Sequence, residues 1–408
     1  MELNSKVEYL TGNDLTVQNM QKLYGVGIFS EDTLGLLERV SKLIMSDPRA
    51  KEFPDVITFA FWCRKANLLK MRSNYVEELD TRIGLGVAFH IAPSNVPVNF
   101  AYSTVVALLA GNACIVRVPS KDFPQIDIIC DAFRIAMEKD EDKQGNSYLR
   151  FKDRLCFIRY PRVKQINDFF SDICDTRIIW GGDNTINEIK KSPIRTRTKE
   201  ISFSDRFSLV MINPKAILNA SDQHSIAQAF YNDTFLSDQN ACTSPRFVIW
   251  VTKDKDTGKA KEIFWKELHN LVREKYEITG VQAVDKLTKL LELGASCDCC
   301  RIEPMEDNLI TRIKVDELKS EMLDYYGNSG FFIEYDANDV KDILPLCCGR
   351  LQTVSYIGID PVEIKEFIKE IGCKGIDRVV PVGHTMDFAL IWDGYDLIRE
   401  MSRRFTLL

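Results

Sequence analysis

Several features are scarce in this sequence, and each scarcity removes a class of function. Histidine is the first: His90, His224, His269 and His384 are the only four in 408 residues. They are scattered, offer no clear general base, and read as structural or exposed side chains. Basic excess is missing too. The net charge is −6 with both signs interspersed, which excludes the basic face of a dedicated nucleic-acid binder. The start, Met1-Glu2-Leu3-Asn4-Ser5-Lys6, lacks the apolar core of an export signal, so a cytoplasmic protein is expected. No Gly-x-Gly-x-x-Gly opens a helix, because Gly84-x-Gly86 precedes its strand. There is no internal repeat and no low-complexity linker.

One stretch lacks charge altogether. Ile91 to Val116 is mostly apolar and long enough to cross a bilayer. Pro93, Pro97, Asn95, Asn99, Ser103, Asn112 and the Gly111-Asn112 turn break it up, and a loop, a helix and a buried strand in succession explain it better. No membrane span is expected.

What is present is an ordinary soluble composition, 45% hydrophobic and 27% charged, in a chain long enough for two packed domains. Twelve cysteines are spread through α/β-type sequence and read as reduced thiols. Cys297-Asp298-Cys299-Cys300 is the one dense cluster. Its spacing is tighter than the paired Cys-x-x-Cys of zinc sites, and Cys347-Cys348 makes a poor second half, so no metal is expected.

The pattern up to about residue 80 is helical, with amphipathic segments at 32–45 and 56–69. Strand and helix signals then alternate: strands at 85–92, 113–118, 155–158, 177–180 and 199–203, and helices at 101–109, 126–137, 163–174 and from Gly181 onward. The alternation restarts with a strand at 208–214, a helix at 222–235, a strand at 247–251 and a charged amphipathic helix at 261–276. Such a series predicts parallel sheets with right-handed crossovers. The turn at Ser204-Asp205-Arg206 is the expected boundary, between a domain over 1–204 and another over 205–408.

Four loops have the composition of a ligand site. Ile91-Ala92-Pro93-Ser94-Asn95-Val96-Pro97 holds an Asn between two prolines, where a rigid amide can face a developing oxyanion. Val116-Arg117-Val118-Pro119-Ser120-Lys121 offers a cation and a hydroxyl beyond a strand end, suited to a ribose or its phosphate. Trp180-Gly181-Gly182-Asp183-Asn184-Thr185 enters a helix through small residues, leaving backbone N–H groups open to a pyrophosphate. Ser237 to Arg246 places Cys242 in a polar turn just before a strand-forming run, where a thiol can meet a substrate.

Taken in order, these motifs resemble the aldehyde dehydrogenase superfamily, and within it the LuxC-type acyl-CoA reductases, the long-chain fatty-acid reductases of luminescence operons. Arg350-Leu351-Gln352-Thr353-Val354-Ser355, Gly375 to Gly383 and Ile391-Trp392-Asp393-Gly394-Tyr395-Asp396 extend the resemblance over roughly 80 to 405. It implies a Rossmann-type NADP(H)-binding α/β domain and an α/β thiol domain. It implies that Cys242 is the nucleophile and Asn95 the side-chain half of the oxyanion hole. It also implies a cofactor cradle that includes Ala92, Pro93, Ser94, Arg117, Pro119, Ser120, Gly181, Gly182, Asp183 and Thr185. The superfamily's Glu-Leu-Gly-Gly-Lys run is replaced by Lys199-Glu200-Ile201-Ser202-Phe203-Ser204-Asp205-Arg206. Ser202 then takes the place of the water-activating Glu, and Glu200 stands two residues away as a remaining catalytic candidate. The implied reaction is NADPH-dependent reduction of a long-chain acyl-CoA or acyl-carrier thioester to an aldehyde. An acyltransferase or thioesterase using the same cysteine, and an aldehyde dehydrogenase, are the alternatives. An acyl-activating synthetase partner and a homo-oligomer are implied by analogy alone.

Overall fold

The computed structural model describes residues 6–94, 96–138, 148–251, 257–304 and 306–407. The chain forms two compact units. One contains residues up to Ser204 together with Phe388–Leu408, and the other spans Asp205–Asp387.

The first unit opens with β1 (Glu8–Thr11) and α1 (Asp14–Met20). Helices α2 (Glu31–Ser46), α3 (Pro54–Trp62) and α4 (Lys65–Arg72) follow. Then come β2 (Arg82–Gly84), β3 (Val87–Ile91), α5 (Asn99–Leu109), β4 (Ala113–Arg117) and α6 (Pro124–Glu138). The alternation ends with β5 (Leu155–Arg159), α7 (Lys164–Ile173), β6 (Thr176–Trp180), α8 (Asp183–Lys190) and β7 (Lys199–Phe203).

Six of these strands form a sheet of order β1-β5-β4-β3-β6-β7, parallel from β3 to β7 with β1 antiparallel at the edge. Successive strand residues point to opposite faces, and both faces are covered, so the inner strands β3 to β6 are mostly apolar, while the edge strands β1 and β7 carry polar and charged residues. On one face Ala88, Val116, Phe157 and Ile178 pack with α2, α3, α5 and α6. On the other, Phe89, Ile115, Ile158 and Ile179 meet Met20, Ile166, Phe170 and Ile186.

Two helical expectations need correction. Glu8–Thr11, inside the region read as helical, is an edge strand whose partner lies nearly 150 residues on in the sequence, beyond the reach of local pattern. The segment 56–69 is two helices. Arg64 is extended (ψ 137°), and the carboxylate of Glu38 on α2 accepts the Lys65 N–H at 2.6 Å to start α4. The uncharged run 91–116 is a strand end, a loop, α5 and β4. Among the described residues no helix is long and apolar enough to cross a membrane.

Residues 388–408 belong to the first unit, not to the second as expected. Their strand Ser402–Arg404 pairs with β2, the Tyr102 hydroxyl donates to the Ala389 carbonyl (2.6 Å), and the Asn112 amide donates to the Met401 carbonyl (2.8 Å). Phe388 packs among Phe59, Trp62 and Tyr102.

The second unit contains β8 (Phe207–Ile212), α9 (Pro214–Leu218), α10 (Gln223–Thr234), β9 (Pro245–Val251), α11 (Thr257–Lys275) and α12 (Gly280–Ser296). It continues with β10 (Cys300–Ile302), β11 (Thr311–Val315), β12 (Phe331–Ala337), β13 (Leu351–Ile357), α13 (Pro361–Ile371) and β14 (Arg378–Pro381). The sheet order is β10-β11-β12-β9-β8-β13-β14, parallel except for β10 at one edge. Its interior carries one charge cluster. Buried Glu334 accepts the indole N–H groups of Trp250 and Trp265, each at 2.9 Å, and Nε–H of Arg312 at 2.7 Å. A carboxylate so fully paired is tolerated in a core.

Candidate active site

Helix α10 and a following single turn, Phe235–Ser237, deliver the chain to the cysteine. Asp238 and Gln239 then adopt left-handed backbone, φ 52° and 58°. Two consecutive non-glycine residues in this region are strained and persist only where their surroundings hold them. Those surroundings are specific. The Tyr276 hydroxyl donates to the Asp238 carboxylate at 2.8 Å. The Gln239 side chain is fully buried and makes four hydrogen bonds. Its amide donates to the Pro245 and Phe331 carbonyls (2.8 and 3.0 Å), and its oxygen accepts the Gly330 and Phe331 N–H groups (3.0 Å each).

Cys242 follows, half-buried, three residues before β9. Its carbonyl accepts the Ser208 hydroxyl at 2.6 Å, which fixes the turn to β8. Arg246, at the start of β9, folds back beneath the turn. Its Nη2 donates to the Gln239 carbonyl (2.9 Å) and its Nη1 to the Ala241 carbonyl (3.4 Å), while Nε and Nη2 reach the Asn328 amide oxygen (3.3 and 3.1 Å). The guanidinium lies 4.6 Å over the Tyr326 ring. Burial pulls its pKa down, and the negative forms of Tyr326, Cys242 and Asp205 pull it back up. Its hydrogen-bond partners named here are neutral, and negative charge on Cys242 or Asp205 favours the cation.

A second loop reaches the same turn. Met386 sulfur meets the Thr243 hydroxyl at 3.3 Å. Its segment is held by Asp233 of α10, fully buried, which accepts the N–H groups of Gly383 (2.6 Å) and Thr385 (3.1 Å). Burial raises the Asp233 pKa to about 6, against the opposing pull of those two amides.

In the first unit the expected cofactor residues gather at one edge of the sheet. Ala92, Pro93 and Ser94 follow β3; Pro119 and Ser120 follow β4, which ends at Arg117; Gly181, Gly182 and Asp183 follow β6, with Thr185 in α8. Strand order reverses at β3, with β4 and β5 on one side and β6 and β7 on the other. The carboxyl ends of the strands at such a switch point are where open α/β sheets take ligands. Gly182 caps α8 with no side-chain hydrogen bond, and a Cβ there would meet nothing within 4 Å, so the first turn is unobstructed. A Cβ on Gly181 would press on Thr185 at 3.3 Å. The base of this edge is rigid: Trp180 stacks on Phe203 at 3.7 Å and donates to the Ser103 hydroxyl, which also bonds His90 at 2.7 Å. Burial drives the His90 pKa down to about 3, so the ring is neutral and structural.

Three placements are less direct. Arg117 is tied back, 4.4 Å over the Tyr160 ring and donating to the Tyr160 carbonyl at 3.2 Å. Asn95 lies outside the described residues. Glu200 stands at the second position of β7, opposite Arg177 of β6, whose Nε donates to it at 2.7 Å and whose Nη2 adds a shorter bond. That pairing lies toward the amino end of the parallel strands, away from the loop edge. The pair Gly84 and Gly86 serves packing. A Cβ on Gly84 would fall 2.3 Å from the Gly111 carbonyl, and one on Gly86 (φ 138°) would fall 2.1 Å from Asp175. A cavity of about 620 Å³ also opens at this amino end, lined by Gly84, Gly86, Asp175, Arg195 and Arg403.

Reading residue types alone missed Gln239, Arg246, Asp233 and Asn328. Gln239 and Arg246 stand inside the stretch Ser237 to Arg246, whose sequence gives them no role of their own beside Cys242.

Two α/β units, each built on a mostly parallel sheet, one with an open helix start beyond a strand end and one with a cysteine on a buttressed turn, match the aldehyde dehydrogenase fold. Solved structures agree. An NAD-dependent benzaldehyde dehydrogenase from Corynebacterium glutamicum has TM-score 0.61 and 14% identity over 95% of this chain and 86% of its own. Glyceraldehyde-3-phosphate dehydrogenase GapN from Methanocaldococcus jannaschii, complexed with NADP, has TM-score 0.61 and 13% identity over 95% and 92%. A point mutant of Thermus thermophilus 1-pyrroline-5-carboxylate dehydrogenase has TM-score 0.62 and 12% identity over 96% and 84%. At such identities the likeness establishes the fold. A search of curated protein sequences returns no match. The family follows from sequence: the acyl-CoA reductase (LuxC) family model matches residues 37–279, more than half of the chain, and the chain belongs to that family of oxidoreductases.

Proposed function

We propose that this enzyme reduces an acyl thioester, acyl-CoA or a carrier-bound acyl group, to the aldehyde with NADPH, through an acyl group held on Cys242. The single observation that carries the reading is the half-buried Cys242 on a turn braced by buried Gln239 and Arg246, in a chain of the acyl-CoA reductase family.

The Cys242 thiolate attacks the thioester carbonyl, and the carrier thiolate leaves with the electrons of the broken C–S bond. Arg246 stabilises the thiolate and keeps the turn in its strained shape. The Asn95 amide supports the tetrahedral oxyanion. The open first turn of α8, with Gly181 and Gly182, fits a pyrophosphate, and Ala92, Pro93, Ser94, Pro119, Ser120, Asp183 and Thr185 complete the cradle. Arg117 meets a ribose or 2′-phosphate by leaving the Tyr160 carbonyl. NADPH, when bound, supplies the hydride that brings the acyl carbon to the aldehyde level. We assign Glu200 to its ion pair with Arg177, not to water activation. With Ser202 in the register of the usual Glu, the acyl-enzyme is protected from hydrolysis. Long-chain acyl groups, an acyl-activating partner and a cytoplasmic setting follow by family analogy.

The test is NADPH consumption, followed by its absorbance, with acyl-CoAs of graded length, beside acyl labelling of the protein. Thioester-dependent oxidation and a Cys242-linked acyl group, both lost in Cys242→Ser, are expected. Acyl release without NADPH consumption at every chain length would instead favour the thioesterase or acyltransferase reading.

A further inference from the structure

Seven of the cysteines lie in the second unit, and three converge. The Sγ atoms of Cys297, Cys299 and Cys300 all lie within 4.8 Å of one another, and those of Cys297 and Cys299 are 2.9 Å apart. Two backbone hydrogen bonds shape this turn: Cys300 N–H to the Cys297 carbonyl (3.3 Å) and Asp316 N–H to the Cys299 carbonyl (3.3 Å). Cys299 and Cys300 are half-buried and give an ion a path from the surface. Sulfurs bound to one zinc ion at about 2.3 Å sit roughly 3.8 Å apart in a tetrahedron. The Cys297–Cys299 spacing falls below that figure and no spacing exceeds 4.8 Å, so side-chain rotations that open this pair bring the three sulfurs to it. The tight Cys-x-Cys-Cys spacing fails the pattern of paired zinc knuckles because it comes from one turn, not from two.

The location gives such a site work to do. Cys297 caps the carboxyl end of α12, and Cys300 begins the edge strand β10. Helix α12 has 17 residues, of which Lys286 and Leu293 alone are buried. Lys286 ties its middle down by donating to the Asn308 and Leu309 carbonyls at 2.7 and 3.1 Å. Beyond Leu293, what joins its carboxyl end to the sheet is this cysteine turn.

We propose that Cys297, Cys299 and Cys300 form a three-thiolate site for a soft d10 metal ion, zinc(II) or copper(I), which clips α12 to β10. Thiolate-only donor sets select these ions. Binding releases the thiol protons to solvent, and three sulfurs leave a fourth position for water when the ion is zinc. The site lies apart from the Cys242 turn and stands or falls independently of the reductase reading.

The full-length protein is purified without chelator and its metal content measured by mass spectrometry. Metal-free protein is then titrated separately with zinc(II), copper(I) and cobalt(II). One equivalent of zinc or copper is expected, together with a thiolate-to-cobalt charge-transfer band, and both are lost in Cys299→Ser and Cys300→Ser but kept in Cys348→Ser. Hydrogen exchange should show α12 less protected after metal removal. Metal content at the buffer blank with no uptake on titration would overturn the proposal, as would full binding by both cluster variants. If those variants fail to fold, maleimide labelling of the wild type decides: three fewer reactive thiols with metal support the site, and an unchanged count refutes it.

Discussion

Asp233 couples the Gly383–Thr385 loop to pH, and Asp233→Asn measures that coupling. The carboxylate is fully buried, and burial raises its pKa from the ordinary 3.8 to about 6. The folded protein therefore binds this proton more tightly than the unfolded chain does. Stability from this group is fully present below pH 3.8 and is lost as pH rises through 6. The gap corresponds to roughly 3 kcal/mol in all, of which about 1.4 kcal/mol falls between pH 5 and pH 8. Asparagine cannot ionise, so it escapes this loss. It also presents one acceptor where Asp233 presents two, one to Gly383 and one to Thr385, so an N–H group faces an amide and about 1–3 kcal/mol is lost. The two effects oppose each other at pH 8. By pH 5 the wild type should lead the variant by roughly 1.4 kcal/mol more than it does at pH 8. Urea unfolding of both proteins at pH 5, 6, 7 and 8, followed by tryptophan fluorescence, gives the difference directly, and other titrating groups cancel. A difference that is flat across this range, or that shrinks toward acid, refutes the buried-carboxylate account.

Two further substitutions separate roles that the residue types alone confuse. Arg246→Lys keeps a cation but loses the fork that spans the Gln239 and Ala241 carbonyls. It should slow acylation of Cys242 by about tenfold or more while nucleotide binding stays unchanged, as read by acyl-enzyme burst and by nucleotide titration. An unchanged burst rate would remove Arg246 from the nucleophile's support. Glu200→Gln leaves Arg177 buried without its carboxylate and should lower stability by about 3 kcal/mol. The ratio of aldehyde to free acid among the products should not move, and a large rise in free acid or loss of turnover at full stability would return Glu200 to the chemistry.

The alternation of strands and helices was legible because a doubly covered parallel sheet demands continuous apolar runs, as at Val87–Ile91 and Phe207–Ile212. Loops at strand ends were legible by composition, so Gly181, Gly182 and Cys242 stood out. What was hidden depends on long-range pairing. The strand Glu8–Thr11 exists through β5, and the return of residues 388–408 to the first unit rests on distant partners, such as β2 for Ser402–Arg404 and Tyr102 for Ala389. The polar buttress of the cysteine was hidden for a related reason. Gln239, Arg246 and Asp233 are residue types usually found at the surface, and their burial follows from partners at Phe331, Asn328 and Gly383, some 80 to 150 positions away.

The route of the chain also sets an order of assembly. Because residues 388–408 supply a strand and core side chains to the first unit, that unit cannot be completed until they are available to it. The second unit is one contiguous segment, Asp205–Asp387. Cys242 and the Gln239 and Arg246 side chains that hold its turn all lie within that segment, so the shape of the turn depends on one uninterrupted stretch of chain.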